Sequence, residues 1–271
     1  MEPQAFRFTG DAAQNYDQYL GPFLFEPYAK EIAARIDPNN SHSVLEIASG
    51  TGRVTRHIRQ RLHPQSRLVA TDISTDMLAV ARARLAGEAI EFQKADALEL
   101  PFPDETFEYV VCQFGIMFFP DRQKGFNEAF RVLKPGGSFI FNTWESTETI
   151  AYFKLLFHEI LLPFFKDPDP SRFLLPFSLH RPAQLMAWMN HSGFANGVVE
   201  RVEIKGQSLT ALDLVNGNLV KHQLGQEVLK KDPEALPLLA ARFEKEIVLR
   251  FGNNPVTCDL AAYVGAGIKP R

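Results

Sequence analysis

Short apolar runs alternate with amphipathic stretches through the first half of the chain. The apolar runs predict strands at residues 43–48, 67–72, 90–94, 107–112 and 137–143. The stretches between them predict helices that include residues 54–62, 76–86 and 121–133. Strands that alternate with helices through short connections favour an α/β fold with a parallel, doubly wound sheet.

The pattern changes after Thr143. Apolar residues with spacings of three and four predict an amphipathic helix, namely Ile150, Phe153, Phe157, Ile160 and Phe164. A proline-rich loop, a helix at 182–191, a strand at 198–204 and a mostly helical stretch at about 209–248 follow. The segment TCDLAAYVGAGI reads as a last strand. Two late strands indicate that the chain returns to the same sheet, so we predict one elaborated domain.

Composition and charge narrow the class of protein. Of 271 residues, 45% are hydrophobic and 23% charged, which is typical of a globular protein. The net charge of −3 and the lack of a dense Lys/Arg cluster argue against a nucleic-acid surface. Cys112 and Cys258 lie in apolar runs, as expected of buried free thiols in a reducing compartment. The first twenty residues lack the apolar run of a signal peptide, and no run reaches membrane-spanning length, so we expect a cytoplasmic protein.

The segment VLEIASGTGRV combines an acid with a glycine turn. Glu46 lies in the predicted strand, and Gly50 and Gly52 follow it. Thr55 stands where a dinucleotide-binding fingerprint has its third glycine. A carboxylate beside a phosphate-binding loop would repel a pyrophosphate, whereas it suits a cation. S-adenosylmethionine carries an ammonium and a sulfonium for the acid and a carboxylate for the loop N–H groups, so we infer that ligand.

The second and third predicted strands also end in acids. Asp72 is placed to accept hydrogen bonds from ribose hydroxyls. The alternative is an N-cap, although Ser74, Thr75 or Asp76 could cap the next helix instead. Asp96 could lie near an adenine amino group or could simply form a turn.

The fourth predicted strand runs into Gln113 and Phe114, which we expect in the cleft in stacking or positioning roles. Phe118 and Phe119 fit the core equally well. The 23 Phe residues predict a Phe-rich core and also suit a pocket for a flat, apolar small molecule.

Four segments together carry a family resemblance. VLEIASGTG, ATDIS, KADALELPF and RVLKPGGSFIF, in this order and spacing, resemble the class I S-adenosylmethionine-dependent methyltransferases. Within that class they look like the type 11 group that includes the ubiquinone/menaquinone-biosynthesis enzymes. The resemblance covers roughly residues 16–143, and AYVGAGIKP resembles the closing strand. It implies a Rossmann-like, mostly parallel sheet of seven strands whose last strand is antiparallel.

The resemblance also implies a domain plan and a cofactor site. We expect an N-terminal helical lid at 1–40, a cofactor-binding core at 41–144, helical substrate-side insertions at 145–197 and 206–250, and closing strands at 198–205 and 256–268. Glu46, Gly50 and Gly52 would surround the methionine part, with Asp72 at the ribose and Asp96 and Ala97 at the adenine. The other residues expected at the cofactor are Tyr16, Ala48, Thr51, Ile73, Met77, Gln113 and Phe114.

One departure from the family pattern and one alternative for the N-terminal segment stay open. Ala48 and Ser49 replace the glycine and the small or Cys residue that usually precede Gly-x-Gly, and the Ala48 methyl should tilt the methionine end slightly. The N-terminal segment, with Phe8, Tyr16 and Tyr19, could cover the cofactor or could pack as a helix on the sheet edge.

The sequence predicts methyl transfer to a hydrophobic small molecule by proximity, without a named catalytic residue. Residues that could contact the substrate are Tyr19, Phe114, Met117, His158 and His180. We expect no metal, no nucleic acid, no membrane span, and a monomer or homodimer. A nucleic-acid or protein methyltransferase is disfavoured because CQFG replaces the Asn/Asp-Pro-Pro-aromatic motif. A protein that binds the cofactor without methylating is the remaining alternative.

Overall fold

The computed structural model describes residues 11–165 and 171–271, and seven strands within these residues form one sheet. The strands are β1 Ser43–Ile47, β2 Arg67–Asp72, β3 Glu91–Lys94, β4 Phe107–Gln113, β5 Leu133–Trp144, β6 Ala195–Ser208 and β7 Val256–Ile268. Their order in the sheet is β3-β2-β1-β4-β5-β7-β6. Every strand predicted from the sequence is present, although β5 begins four residues earlier than expected.

The direction of the strands confirms the predicted fold class. The pairs β1–β2, β1–β4, β2–β3 and β4–β5 are parallel. β7 runs antiparallel to β5. The strand order reverses between β1 and β4, and ligands of doubly wound sheets bind at the carboxyl ends of the strands beside such a point.

Helices connect the strands, and further helices make up much of the second half of the chain. They are α1 Asp11–Asn15, α2 Glu26–Ala34, α3 Arg53–Arg61, α4 Thr75–Arg84, α5 Arg122–Val132, α6 Ala151–Phe153, α7 Leu162–Phe165, α8 Ser171–Leu174, α9 Pro182–Ser192, α10 Ala211–Val215, α11 Gln223–Lys231 and α12 Ala235–Phe251. α1, α6 and α10 each continue into a π-helical segment, at Tyr16–Phe25, Lys154–Leu161 and Asn216–Val220 respectively. The amphipathic helix predicted from Ile150 onward is confirmed, with a π-helical centre.

The proline-rich stretch after that helix was expected to be a loop, and this expectation is wrong in part. It contains α7, α8 and a 3₁₀ turn at Leu175–Phe177. Phe165, Phe173 and Phe177 are buried there. Burial of these three aromatic rings stabilises short helical turns that the prolines alone would not favour.

Side-chain caps fix where two of the helices begin near the sheet. The Ser74 side chain accepts the Met77 N–H at 3.3 Å and begins α4. The Asp121 side chain accepts the Lys124 N–H at 2.9 Å and begins α5. These contacts fix where each helix leaves the carboxyl edge of the sheet.

One face of the sheet packs on α2 and α3. Its buried cluster comprises Ala29, Ile32, Ala33, Ile36, Val44, Val54, Ile58, Leu62, Leu68, Val111, Ile140 and Val264. Strand positions in this cluster alternate with positions that face the other side, as the strand period requires.

The described residues divide into two compact units. The first comprises residues 11–27, 145–165, 171–175 and 203–261, and the second comprises residues 28–144, 176–202 and 262–271. The first unit is mainly helical, and the second carries the parallel strands. The division into a single domain with a lid and insertions stays a prediction, and Phe8 lies outside the described residues. In those residues we find no helix with the length and apolar character to cross a bilayer.

Candidate functional site

Strand register places four polar side chains on one face of the sheet, at its carboxyl edge. Glu46 pairs with Ala70 on one side, and Asp72 lies two residues beyond Ala70 on the same strand. Glu46 also pairs with Val111, and Gln113 lies two residues beyond it. Gln113 pairs with Asn142. Because side chains alternate along a strand, Glu46, Asp72, Gln113 and Asn142 share a face. This is the face that packs on α3, where the first glycine loop lies.

The loop between β1 and α3 has left-handed backbone geometry. The φ angles are +53° at Ala48, +56° at Gly50 and +78° at Gly52. A Cβ at Gly52 would lie 3.0 Å from Leu85 Cδ1 and 3.2 Å from Ala81 Cβ, so glycine permits close packing on α4. A Cβ at Gly50 would meet no described atom within 4 Å, which leaves open space beside this residue.

The backbone amides of this loop are partly occupied. The Ser49 N–H donates to Thr71 O at 2.9 Å, and the Gly52 N–H donates to Ser49 O at 3.0 Å. The Gly50 N–H donates to Asp72 Oδ2 at 2.8 Å. These three amides donate to groups of the protein and hold the loop in place. The prediction that the loop N–H groups bind a ligand carboxylate is therefore wrong for these three. The first turn of α3 begins at Arg53, and its positive dipole end lies directly after the loop.

Glu46 is buried at the end of β1, with 1% of its surface exposed. Its Oε2 accepts the Thr55 hydroxyl at 2.5 Å. Burial raises the pKa of Glu46 to about 8, the Thr55 hydrogen bond opposes this shift, and the charge of Asp72 adds to it. The side chain is therefore largely neutral at pH 7 and would ionise beside a cation.

Asp72 joins two loops. Its Oδ2 accepts the Gly50 N–H, and its Oδ1 accepts the Ser74 N–H, each at 2.8 Å. Burial raises the pKa of Asp72, while the backbone amides oppose the shift. Ser74 is the N-cap of α4, so the alternative that Asp72 caps this helix is wrong. Its role at a ribose stays a prediction.

The residues expected around the adenine follow β2 and β3. Ile73 is 65% exposed, and Met77 is buried. Asp96 is exposed and Ala97 is half-buried. Asp96 Oδ1 accepts the Leu98 N–H at 2.9 Å, so the side chain does form the turn that was the alternative to a ligand role. The same carboxylate has further lone pairs that could accept a hydrogen bond from an adenine amino group, so that contact stays a prediction.

An aromatic cluster lies where β4 and β5 end. Phe114 stacks on Trp144 with ring centroids 4.0 Å apart and an interplanar angle of 13°. Tyr28 meets each of these rings edge-on at 5.4 Å. Phe114 has φ +50°, and its N–H donates to Asn142 Oδ1 at 2.8 Å. We call Tyr28, Phe114 and Trp144 the aromatic cluster below.

Ala48 packs against the loop that follows β4. A Cβ added at Gly115 would lie 2.6 Å from Ala48 Cβ and 2.8 Å from Cys112 Sγ. The methyl group that distinguishes Ala48 from the usual glycine is therefore accommodated by the missing side chain of Gly115. Whether it tilts a bound methionine end stays a prediction.

The other predicted site residues have local partners. Within the second unit, Met117 is buried, and His180 Nδ1 lies 2.7 Å from Phe177 O.

Tyr16, Tyr19 and His158 belong to the first unit. There Tyr16 stacks on Phe25, Tyr19 accepts from Lys221 Nζ at 2.7 Å, and His158 Nε2 lies 2.8 Å from Thr147 Oγ1. Thr51 is buried in the glycine loop.

Sequence reasoning missed two residues of this edge, Thr55 and Asn142. Thr55 lies in the first turn of α3 and contacts Glu46, nine positions earlier. The one available signal for it was the absence of a third glycine at this position. Asn142 carried no local signal, because its partner Phe114 follows another strand.

Both cysteines are free and buried. Among residues 11–165 and 171–271, no group of three or more His, Cys, Asp or Glu could hold a metal ion.

Comparison with known proteins gives consistent matches. A family model described as a methyltransferase domain matches residues 44–137. The demethylmenaquinone methyltransferase of Deinococcus radiodurans is 34% identical over 139 residues, covering 49% of this chain and 57% of that protein. The demethylmenaquinone methyltransferase of Thermus thermophilus is 34% identical over 164 residues, covering 56% of this chain and 74% of that protein. The match thus spans little more than half of the first relative and about three quarters of the second.

A solved structure shares the fold. Phosphoethanolamine N-methyltransferase 2 of Haemonchus contortus, in complex with phosphomonomethylethanolamine and S-adenosylhomocysteine, superposes with a TM-score of 0.62 at 20% identity. The match covers 97% of this chain and 58% of that chain. At this identity the likeness concerns the fold alone.

Proposed function

Since the chain belongs to the class I S-adenosylmethionine-dependent methyltransferases, in the group that includes the demethylmenaquinone methyltransferases, we propose that it methylates a hydrophobic small molecule. The family and the cofactor class predicted from the sequence are confirmed. The acceptor we propose is an aromatic or polyketide-like ring compound. S-adenosyl-L-homocysteine is the expected second product.

The single observation that carries the proposal is the buried Glu46 at the carboxyl edge of the sheet. An acid that is 1% exposed and has a pKa of about 8 lacks a cationic partner among the described residues. A ligand with an ammonium group would supply the missing charge. The buried Ser49 hydroxyl, which has no described hydrogen-bond partner, offers a further polar contact in the same loop. The residues present therefore fit S-adenosylmethionine.

Each residue of the edge has a distinct task in this proposal. Glu46, oriented by the Thr55 hydroxyl, would bind the ammonium group. Asp72 holds the glycine loop through the Gly50 amide and would accept hydrogen bonds from the ribose through its remaining lone pairs. Ile73 and Met77 would contact the adenine, with Asp96 and Ala97 at its far end.

Methyl transfer by displacement requires alignment of the acceptor more than proton transfer. S-adenosylmethionine, when bound, supplies an electrophilic methyl group. The buried aromatic cluster would exclude water from the acceptor and would pack against an apolar ring. We assign no general base, and we keep Tyr19, Met117, His158 and His180 as proposed substrate contacts.

Three observations support a hydrophobic ring as the acceptor. The chain has 23 Phe residues, and one of them, Phe114, stacks on Trp144 where β4 and β5 end. The formal net charge is −3, which does not suit a polyanionic substrate. The relatives from Deinococcus and Thermus are named for a quinone. A cytoplasmic location and a monomeric or dimeric state also stay predictions.

The decisive experiment is methyl transfer from cofactor labelled in its methyl group. The acceptor panel would contain reduced demethylmenaquinone with a short side chain, other hydroxylated aromatic compounds, and a polyketide. We expect a labelled product and equimolar S-adenosylhomocysteine, detected by mass spectrometry. A compound that is consumed without gaining the label would instead support the non-methylating alternative.

A further inference from the structure

Asn142 is a polar side chain in an apolar position. It lies two residues before the end of β5, and its side chain is fully buried. Its register partners are Gln113 on β4 and Val264 on β7. It shares the sheet face of Glu46 and Asp72, at the same carboxyl edge.

The orientation of the Asn142 amide is fixed. Its Oδ1 accepts the backbone N–H of Phe114 at 2.8 Å. Because a backbone N–H can only donate, the carbonyl oxygen of Asn142 must face Phe114, and the amide cannot be reversed. The Nδ2 group therefore points away from this contact.

The Nδ2 group has no hydrogen-bond partner in the described part of the chain. A buried donor left in this state destabilises the fold, because the lost hydrogen bonds to water are not replaced. The cost is explained if a ligand supplies the acceptor.

We propose that Asn142 Nδ2 donates a hydrogen bond to a ring oxygen of the methyl acceptor and so selects oxygenated rings. This inference rests on the proposed function and names the chemical feature that the acceptor must carry. Nδ2 donates and cannot accept, so it recognises a carbonyl, hydroxyl or phenolate oxygen rather than an ammonium group.

The surroundings of Asn142 fit a ring compound. Its carbonyl oxygen holds Phe114 in a left-handed conformation, and Phe114 stacks on Trp144. Trp144 lies two residues after Asn142 and thus on the same sheet face. Asn142 consequently supplies one polar group beside the buried aromatic cluster, and a polar group among apolar side chains is the usual composition of a small-molecule site.

Thr143 provides a matched control. It is the next residue of β5, is also fully buried, and its hydroxyl likewise has no described partner. Its side chain faces the opposite side of the sheet, because neighbouring strand residues alternate. A purely structural effect of removing an unpaired buried polar group should be similar at both positions, whereas a ligand contact should appear at Asn142 alone.

The test measures binding of two ring probes of similar size by calorimetry, with S-adenosylhomocysteine present and oxygen excluded. The probes are 1,4-dihydroxynaphthalene and 1,4-dimethylnaphthalene. We expect the wild type and Thr143→Val to bind the dihydroxy probe about tenfold more tightly, as a hydrogen bond of about 1.4 kcal/mol predicts. We expect Asn142→Leu to bind the two probes within about twofold of each other.

Asn142→Ala guards against a folding defect, because it removes the Nδ2 donor without placing a larger or ionisable group in the buried position. It too should lose the preference, with S-adenosylhomocysteine affinity close to that of the wild type. The inference is overturned if the wild type shows no preference, or if both Asn142 variants keep it. Failure of the methyl-label assay with an intact preference would instead count against the proposed function.

Discussion

The hydroxyl of Thr55, in the first turn of α3, donates to the buried carboxyl group of Glu46 at the end of β1, over 2.5 Å. A glycine at this position, as in a dinucleotide-binding loop, would leave Glu46 without that donor. The helix that follows the glycine loop thus orients the acid as well as closing the turn. Three of the predictions below depend on this pair.

Binding of S-adenosylhomocysteine should depend on pH through Glu46. Because burial raises the pKa of Glu46 to about 8, the empty site must release a proton before the carboxylate can pair with the ligand's ammonium group. Affinity should therefore rise about tenfold per pH unit between roughly pH 6 and 8. Calorimetry at three pH values would measure the slope. Glu46→Gln should bind more weakly and lose most of the slope, and an equally steep slope in that variant would contradict the assignment.

The stability of the empty protein should show the opposite trend. A folded-state pKa above the unfolded value means that the stabilising contribution is present below the unfolded pKa, near 4.5, and is lost as pH rises through about 8. The wild type should lose about 1.4 kcal/mol per pH unit in this window relative to Glu46→Gln. Denaturant unfolding of both proteins at pH 5, 6.5 and 8 measures the difference. A constant difference would show that Glu46 does not titrate in this range.

Removing the Thr55 hydroxyl should raise the pKa of Glu46 further, since this hydrogen bond is what opposes the effect of burial. In Thr55→Val the rise of affinity with pH should move to higher pH, and affinity at pH 7 should fall by about 1–2 kcal/mol. The same calorimetric series measures both effects. Thr55→Ser restores the hydroxyl and serves as the control, so a Ser variant that behaves like Val would argue against the hydrogen bond.

Asp72→Ala should weaken cofactor binding by about 1–3 kcal/mol, because ribose hydroxyls and the Gly50 amide both lose an acceptor. Ser74→Ala is the matched control. It removes the cap of α4 and should cost about 1 kcal/mol of stability with little effect on affinity. Calorimetry and thermal unfolding separate the two quantities. Equal losses of affinity in both variants would reduce Asp72 to a structural role.

Gly115→Ala should destabilise the protein by about 1–3 kcal/mol through overpacking against Ala48 and Cys112. Adding Ala48→Gly should recover part of this loss, because the contact at 2.6 Å disappears. A double-mutant cycle measured by denaturant unfolding gives the coupling between the two positions. Strict additivity would mean that the two residues do not touch.

Much of the fold and of the cofactor edge follows from the sequence, because the signals are local. The first predicted strand runs into a visible glycine turn, the second ends in Asp72, and α/β alternation leaves few topologies. The amides of Ser49 and Gly50 show the limit of this reasoning. Their partners, Thr71 and Asp72, come from the neighbouring strand, so the occupied state of the loop depends on register rather than on local sequence.

Asn142 shows the same limit more strongly. Nothing within five residues distinguishes it from a polar residue at the solvent end of a strand. Its importance arises from the backbone amide of Phe114, which is 28 residues earlier. The short helices near Phe165 and Phe173 were missed for a related reason, since aromatic burial outweighed the local proline signal.

The shared sheet face of Glu46, Asp72, Gln113 and Asn142 also constrains how the gene can change. A single-residue insertion inside β1, β2, β4 or β5, ahead of these positions, would turn the affected side chain to the opposite face. Insertions in the connecting segments would not change which face of the sheet each strand side chain lies on. Over evolutionary time, connecting segments away from the site can therefore change in length in this lineage. The glycine loop is held by Asp72, and strand lengths before the carboxyl edge can change only by pairs of residues without loss of the site.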